Sequence, residues 1–160
     1  MLDIYIVIEY NMNVMNKCNK IKLFYVIFSL ILLVLGVAIY VFFREGTYIH
    51  RLLPQVVNEL TEPVRIVAEG NVFADFLKYY FADFLWCLSL NFLLLCVTDI
   101  KKQSKVLTVC AVSALWGIFY EVAQRFEIVS GTFDFVDIIM YIFASVSAVT
   151  INKNFLKRMI

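Results

Sequence analysis

The sequence predicts an all-α integral membrane protein with four transmembrane helices and an amphipathic outer loop segment between helices one and two. Three observations predict this. Hydrophobic residues make up 62% and charged residues 17% of the 160 positions, whereas a soluble domain is about 45–50% apolar and about a quarter charged. Four apolar runs follow one another, each bounded by charge, with short gaps after the second. Clusters of basic residues mark alternate ends of the runs.

The first run is the clearest. Residues 23–43 contain no Asp, Glu, Lys or Arg, and a spanning helix needs about 20 such residues. Lys17, Lys20 and Lys22 precede it, and Arg44 and Glu45 follow. The run is too long for a signal-peptide core and no small-residue cleavage site follows, so it reads as a retained span. Cys18 lies before the run, which does not make a lipidation box. Residues 1–20 read as a cytoplasmic N-terminal segment. Within it, LDIYIVIEY reads as a short strand, an interfacial segment, or an extension upstream of a start at Met15.

The loop after the first span has soluble character and is punctuated by Pro54 and Pro63. Leu52, Leu53, Val56, Val57 and Leu60 recur at i, i+3 and i+4, which predicts an amphipathic helix. Such a helix lies on the outer membrane face or caps the bundle. His50, the single histidine, reads as an interfacial packing residue. Asn71 reads as the cap of the next helix, whose apolar stripe is Val72, Phe73, Phe76, Leu77 and Tyr80.

The second span covers residues 84–97, where Ser89 and Asn91 are the polar exceptions, and Tyr79, Tyr80, Phe81 and Asp83 extend it to spanning length. The third, residues 106–123, is uncharged until Glu121. The fourth, residues 135–151, carries Asp137 as its one charge. Residues 21–152 therefore form a four-helix membrane domain, and residues 153–160 form a basic tail with Lys153, Lys157 and Arg158. Lys101, Lys102 and Lys105 lie between spans two and three, while the hairpin between spans three and four holds only Arg125. The positive-inside rule then puts both termini and the 101–105 turn in the cytoplasm, with the long loop and the hairpin outside.

Several chemistries are excluded or disfavoured. The chain has no HExxH, GxSxG or Walker loop. Its net charge is +1 with no basic stripe, which excludes nucleic acid as a partner. The four cysteines, Cys18, Cys87, Cys96 and Cys110, contain no CxxC and read as small packing residues.

The informative feature is where the acids fall. Asp83 opens span two, Glu121 and Gln124 close span three, and Asp134 and Asp137 open span four. Three helix ends thus bring acids to one side of the membrane at similar depth. Glu121 and Gln124 share a helix face, as do Asp134, Asp137 and Tyr141, and as do Asp83, Cys87 and Asn91. An ionisable side chain in the bilayer is costly and by default suggests a functional site. Structural readings compete with that one. Asp134 after Gly131 and Thr132 suits an N-cap, and Asp137 and Asp83 suit the first turn of a helix, where the dipole favours an anion. Glu121 sits where the dipole disfavours one, with Arg125 four residues on to pair with it. Asn91 suits an interhelical hydrogen bond. The acids admit two chemistries: a divalent cation, Mg or Ca, held by Glu121, Asp134 and Asp137, or proton transfer by one carboxyl. The catalytic residues, if any, are not readable.

The segment Trp116-Gly117-Ile118-Phe119-Tyr120-Glu121-Val122-Ala123-Gln124, followed by Gly131-Thr132-Phe133-Asp134-Phe135-Val136-Asp137 and Tyr141, resembles the VanZ-like family of small bacterial membrane proteins. In that family a Glu-x-x-Gln element closes one helix and an Asp-x-x-Asp element opens the last. Asp83-Phe84-Leu85-Trp86 resembles the start of the family's preceding helix. The chain departs from the family in carrying Gly131-Thr132-Phe133 before the first aspartate and Tyr141 in place of asparagine, which suggests an uncharacterised branch. The resemblance implies a multi-pass protein of the bacterial cell membrane and a link to antibiotic resistance of the teicoplanin type.

Three functions stay open. The first is a site in the cell envelope that binds an envelope lipid, a glycopeptide-like or other amphiphilic ligand, or a cation. It would use Asp83, Glu121, Gln124, Asp134, Asp137 and Tyr141, beside an apolar slot lined by Trp86, Trp116, Tyr120, Phe133 and Tyr141 and supported by Asn91 and Arg125. The second is a structural or accessory subunit of a homo-oligomer or membrane complex. The third is an enzyme acting on a lipid-linked substrate.

Overall fold

The computed structural model describes the backbone of residues 2–44 and 48–159 and the side chains of residues 18–44 and 49–158. The elements among the described residues are helices: α1 (Leu2–Phe43), α2 (Tyr48–Leu52), α3 (Pro54–Ala68), α4 (Val72–Phe76), α5 (Ala82–Val97), α6 (Gln103–Arg125) and α7 (Phe135–Met159). A π-helical turn, Leu77–Phe81, joins α4 to α5.

Among the described residues, four stretches are long and apolar enough to cross a membrane: Cys18–Phe43, Val72–Val97, Gln103–Arg125 and Phe135–Arg158. They leave large apolar side chains exposed, among them Ile27, Ile31 and Val34 on α1, Val112, Leu115 and Phe119 on α6, and Ile142 and Phe143 on α7. A soluble monomer rarely exposes apolar patches beyond a few hundred Å². The chain is a multi-pass, all-α membrane protein.

α1 is longer than its apolar run. It is helical from Leu2, so the strand reading of LDIYIVIEY gives way to helix. The segment is rich in β-branched residues, but no Gly or Pro interrupts it before Gly36. Extending an existing helix is cheap compared with nucleating one, and propensity is a weak prior beside that.

α5 is the hub of the bundle. It packs along α1 and α7 and less closely along α6, while α6 pairs with α7. The inward stripe of α1, Ile21, Tyr25, Ser29, Leu32 and Gly36, recurs every three or four residues and is buried. Ser29 Oγ donates to the Ser89 carbonyl and Ser89 Oγ to the Ser29 carbonyl, each at 2.9 Å. These small residues let the backbones of α1 and α5 approach closely. A Cβ on Gly36 would fall 2.5 Å from Trp86 Nε1, so the indole lies against bare α1 backbone.

One end of the bundle is basic, with Lys20, Lys22, Lys101, Lys102, Lys153 and Lys157. The other, the loop end, carries α2 to α4 and the α6–α7 hairpin. At the loop end α3 buries Val57 and Thr61 and leaves Leu53, Val56, Leu60 and Val67 exposed. His50 is buried against Thr61, Nε2 to Oγ1 at 3.5 Å, as a packing residue would be. Pro54 occupies the start of α3, where its missing N–H is no loss. Pro63 does not punctuate the loop as expected but lies inside α3. It and Glu59, whose carbonyl it cannot serve, are both exposed, so water meets that carbonyl. Asn71 caps α4 by accepting the Phe73 N–H at 2.9 Å.

Candidate functional site

The site is built where α6 ends and α7 begins. α6 closes with a Schellman turn: the Ile128 N–H reaches the Ala123 carbonyl at 2.9 Å and the Glu127 N–H reaches the Gln124 carbonyl at 3.0 Å. Glu127 takes the left-handed position, with φ 57°. The chain returns through Gly131, at φ 142°, to Asp134. Asp134 Oδ1 accepts the Val136 N–H at 2.8 Å, the geometry of an N-cap for α7.

This turn accounts for Glu121. Its carboxylate is only 2% exposed, in the last turn of α6, where the helix dipole opposes it. The hairpin folds the N-terminus of α7 over it. Glu121 Oε2 accepts the Asp134 N–H at 3.1 Å, and Oε1 accepts the Tyr141 hydroxyl at 3.4 Å. One helix start thus compensates another helix end. Arg125 does not serve this role: it is exposed, and among the described residues no ion pair joins it to Glu121. The Asp134 N–H and the Tyr141 hydroxyl take its place. The Gln124 amide lies against Gly131 of the hairpin, where a Cβ would meet Nε2 at 2.5 Å.

Asp83, Glu121, Asp134 and Asp137 are brought together at the loop end. Asp137 is in electrostatic reach of the other three, and Asp83 of Glu121. Tyr80 on the π turn is in electrostatic reach of Asp134 and Asp137. Among the described residues, the cation facing the group is Arg44, in reach of Asp83 and Asp137. It is held by the π turn: Nε donates to the Lys78 carbonyl at 3.1 Å and Nη2 to the Tyr79 carbonyl at 3.4 Å, while the guanidinium lies 5.1 Å from the Tyr40 ring centroid. Reading the sequence as loops and spans missed Arg44. The signal was there, because Gly36, Tyr40 and Arg44 continue the inward stripe of α1 at steps of four.

Beside the acids is a cleft of about 350 Å³ between α5 and α6, floored by α7. Asp83, Trp86, Cys87 and Leu90 form one wall, Ser113, Trp116, Gly117 and Tyr120 the other, and Tyr141 the floor. Trp116 and Tyr120 are exposed, so the cleft is reached from the side of the bundle. Its volume is in the range of about 300–1,000 Å³ typical of ligand pockets. Gly117 makes room for the floor: a Cβ there would fall 2.6 Å from Tyr141 Cδ2. Among the expected residues, Asp83, Trp86, Trp116, Tyr120 and Tyr141 line the cleft; Phe133 does not. Asn91 lies deeper, where Nδ2 donates to the Cys87 carbonyl at 2.9 Å and to Ser145 Oγ at 3.2 Å, an interhelical bond.

Among the described residues of this region, Asp137 Oδ1, Trp86 Nε1 and, deeper, Asn91 Oδ1 are buried without a hydrogen-bond partner. The divalent-cation arrangement expected of Glu121, Asp134 and Asp137 is not formed. Glu121 spends both oxygens on protein donors and Asp134 Oδ1 is spent on its cap, and among the described residues no three His, Cys, Asp or Glu side chains group as metal ligands.

Compared with models of protein families, with curated proteins and with solved structures, the chain matches none.

Proposed function

We propose that this membrane protein binds an amphiphile in the α5–α6 cleft, with a cationic headgroup toward Asp83 and Asp137 and an apolar body against Trp86, Leu90 and Trp116. One observation carries the reading: a laterally open, mostly apolar cleft ends at a carboxylate, Asp83, in a region where, among the described residues, four carboxylates face one guanidinium. An amine-bearing headgroup would offset that imbalance and offer donors to Asp137 Oδ1, while aromatic walls suit both an apolar chain and a cation. The basic residues at the opposite end support an outward-facing loop end, by the positive-inside rule. The resemblance of Glu121-x-x-Gln124 and Asp134-x-x-Asp137 to the VanZ-like family supports an envelope lipid or an amphiphilic antibiotic as the natural ligand class.

Both tryptophans of the chain line the cleft, so intrinsic fluorescence reports it directly. In lipid nanodiscs, dodecylamine is expected to shift the emission saturably, dodecanol and dodecyl sulfate much less, and Asp83→Asn to remove the dodecylamine response. Equal responses to the three headgroups, or none, would sink the reading.

A structural reading has its own observation. Glu121 is fully satisfied by Asp134 and Tyr141 and holds the hairpin to the bundle. On this view Glu121 builds the site, and Asp83 and Asp137 meet the ligand.

A further inference from the structure

A second pair of cavities lies at the junction of α3, α4 and the end of α1. It shares no lining residue with the α5–α6 cleft, so the two places can be tested independently. On one side of α3 is an apolar groove of about 500 Å³, lined by Val64, Val67, Phe73 and Leu77 among others. On the other is a charged pocket of about 320 Å³, lined by Arg65 and Lys78 and by Glu62, Glu69 and Asp75. The two adjoin: Phe43, Ala68 and Ala74 line both.

The sequence explains the division. α3 is amphipathic, and Ala68 falls between its apolar arc, with Val64 and Val67, and its polar arc, with Glu62, Arg65 and Glu69. α4 and the π turn repeat it: Phe73 and Leu77 face the groove, Asp75 and Lys78 the pocket. The groove also continues the membrane-facing surface of the bundle. Val67 is 83% exposed and Phe73 67% exposed at its edge, and Phe73 belongs to the membrane-crossing stretch Val72–Val97. An apolar groove open to the bilayer and joined to a charged pocket at the bundle's end has the layout of a lipid, tail and head. The pocket selects among heads. Two basic side chains suit a phosphate, and three carboxylates beside them suit an ammonium and oppose a purely anionic head.

We propose that the α3–α4 junction binds one phospholipid of the surrounding leaflet, its chain in the groove and a phosphate–ammonium headgroup in the charged pocket. Of the common heads, ethanolamine meets this best, since its ammonium donates hydrogen bonds where choline cannot. Bound there, the lipid ties α3 to α4 and to the end of α1, the segment that carries Arg44.

Native mass spectrometry of the full chain tests this, after extraction from vesicles of equal phosphatidylethanolamine, phosphatidylcholine and phosphatidylglycerol with matched acyl chains. The expected result is one retained phospholipid per chain, enriched several-fold in the ethanolamine species. Ala68→Leu, which fills the junction of the two cavities, should lose the lipid-bound peak while keeping the helical circular dichroism of the parent. Lys78→Glu, with the groove left open, should keep a lipid but lose the ethanolamine preference. No retained lipid in the parent, retention indifferent to headgroup, or undiminished retention in a folded Ala68→Leu chain would each overturn the proposal. Dodecylamine binding in the cleft, read by tryptophan emission, should persist in Ala68→Leu.

Discussion

The two ends of this bundle bury different kinds of polar group. At the basic end the core is closed: Ile21, Tyr25, Phe92, Leu95, Ile100 and Val106 are all at most 2% exposed. The Tyr25 ring sits 5.1 Å from that of Phe92, and its hydroxyl donates to Asn152 Oδ1 at 2.9 Å, joining α1 to α7; the one buried polar atom without a partner among the described residues there is the neutral amide Nδ2 of Asn152. At the loop end four carboxylates gather beside an open cleft, and Asp137 Oδ1 and Trp86 Nε1 have no partner. Charges held at the end of an apolar bundle cost stability unless paired. The difference suggests a division of labour, in which the basic end holds the helices together and the loop end tolerates an unfavourable arrangement for the sake of a site.

The largest effect should come from the closed end. Phe92 is fully buried and packs on Tyr25 and Phe28. Phe92→Ala should cost about 3–5 kcal/mol, the range for removing a buried aromatic ring. Reversible unfolding in detergent measures it, and the molecules that remain folded should keep their dodecylamine response. If the response disappears with the stability, the two ends are not separable.

Within the loop end, Glu121 and Asp137 should part company. Glu121 uses both oxygens, so Glu121→Ala leaves the Asp134 N–H and the Tyr141 hydroxyl without their acceptor and should cost about 1–3 kcal/mol for each group orphaned by burial. Asp137 carries an unpartnered oxygen among like charges, so Asp137→Asn should leave the melting temperature unchanged or higher while weakening dodecylamine binding. Equal destabilisation by both substitutions would mean that all the acids are structural.

Gly117 sharpens the same contrast. Alanine there would press on the Tyr141 ring at 2.6 Å, an overpacking cost of about 1–3 kcal/mol, and would move the hydroxyl from Glu121 and shrink the cleft. Loss of the tryptophan response with a modest fall in melting temperature is the expected pair of results.

Much of this was legible in the sequence, and the exceptions have physical reasons. The spans were visible because an uncharged apolar run of about 20 residues matches the thickness of a bilayer and exceeds what most soluble cores use. That Asp83, Glu121, Asp134 and Asp137 share one end came from helix direction alone. What each acid touches did not, since that depends on the turn. Arg125 looked like the partner of Glu121 at a spacing of four, but α6 ends at Arg125, and the hairpin supplies the Asp134 N–H instead. Gln124 shares a face with Glu121, yet the absence of a side chain at Gly131 draws its amide to the hairpin. Arg44 was read as a loop charge, because its role comes from the carbonyls of a π turn that no local pattern announces.

The smallest effect isolates the turn itself. Glu127 is the one non-glycine residue with positive φ among the described residues, and it occupies the Schellman position that glycine usually fills. A Cβ in the left-handed region carries a penalty of about 1–2 kcal/mol, partly offset when glycine's greater freedom in the unfolded chain is counted. Glu127→Gly should therefore raise stability by no more than about 1 kcal/mol. Glu127 is exposed and lines no part of the cleft, so dodecylamine binding should not change. If binding instead weakens, the left-handed glutamate is holding the hairpin in a shape that the site needs, and the strain belongs to the loop end's function alongside its unpaired acid.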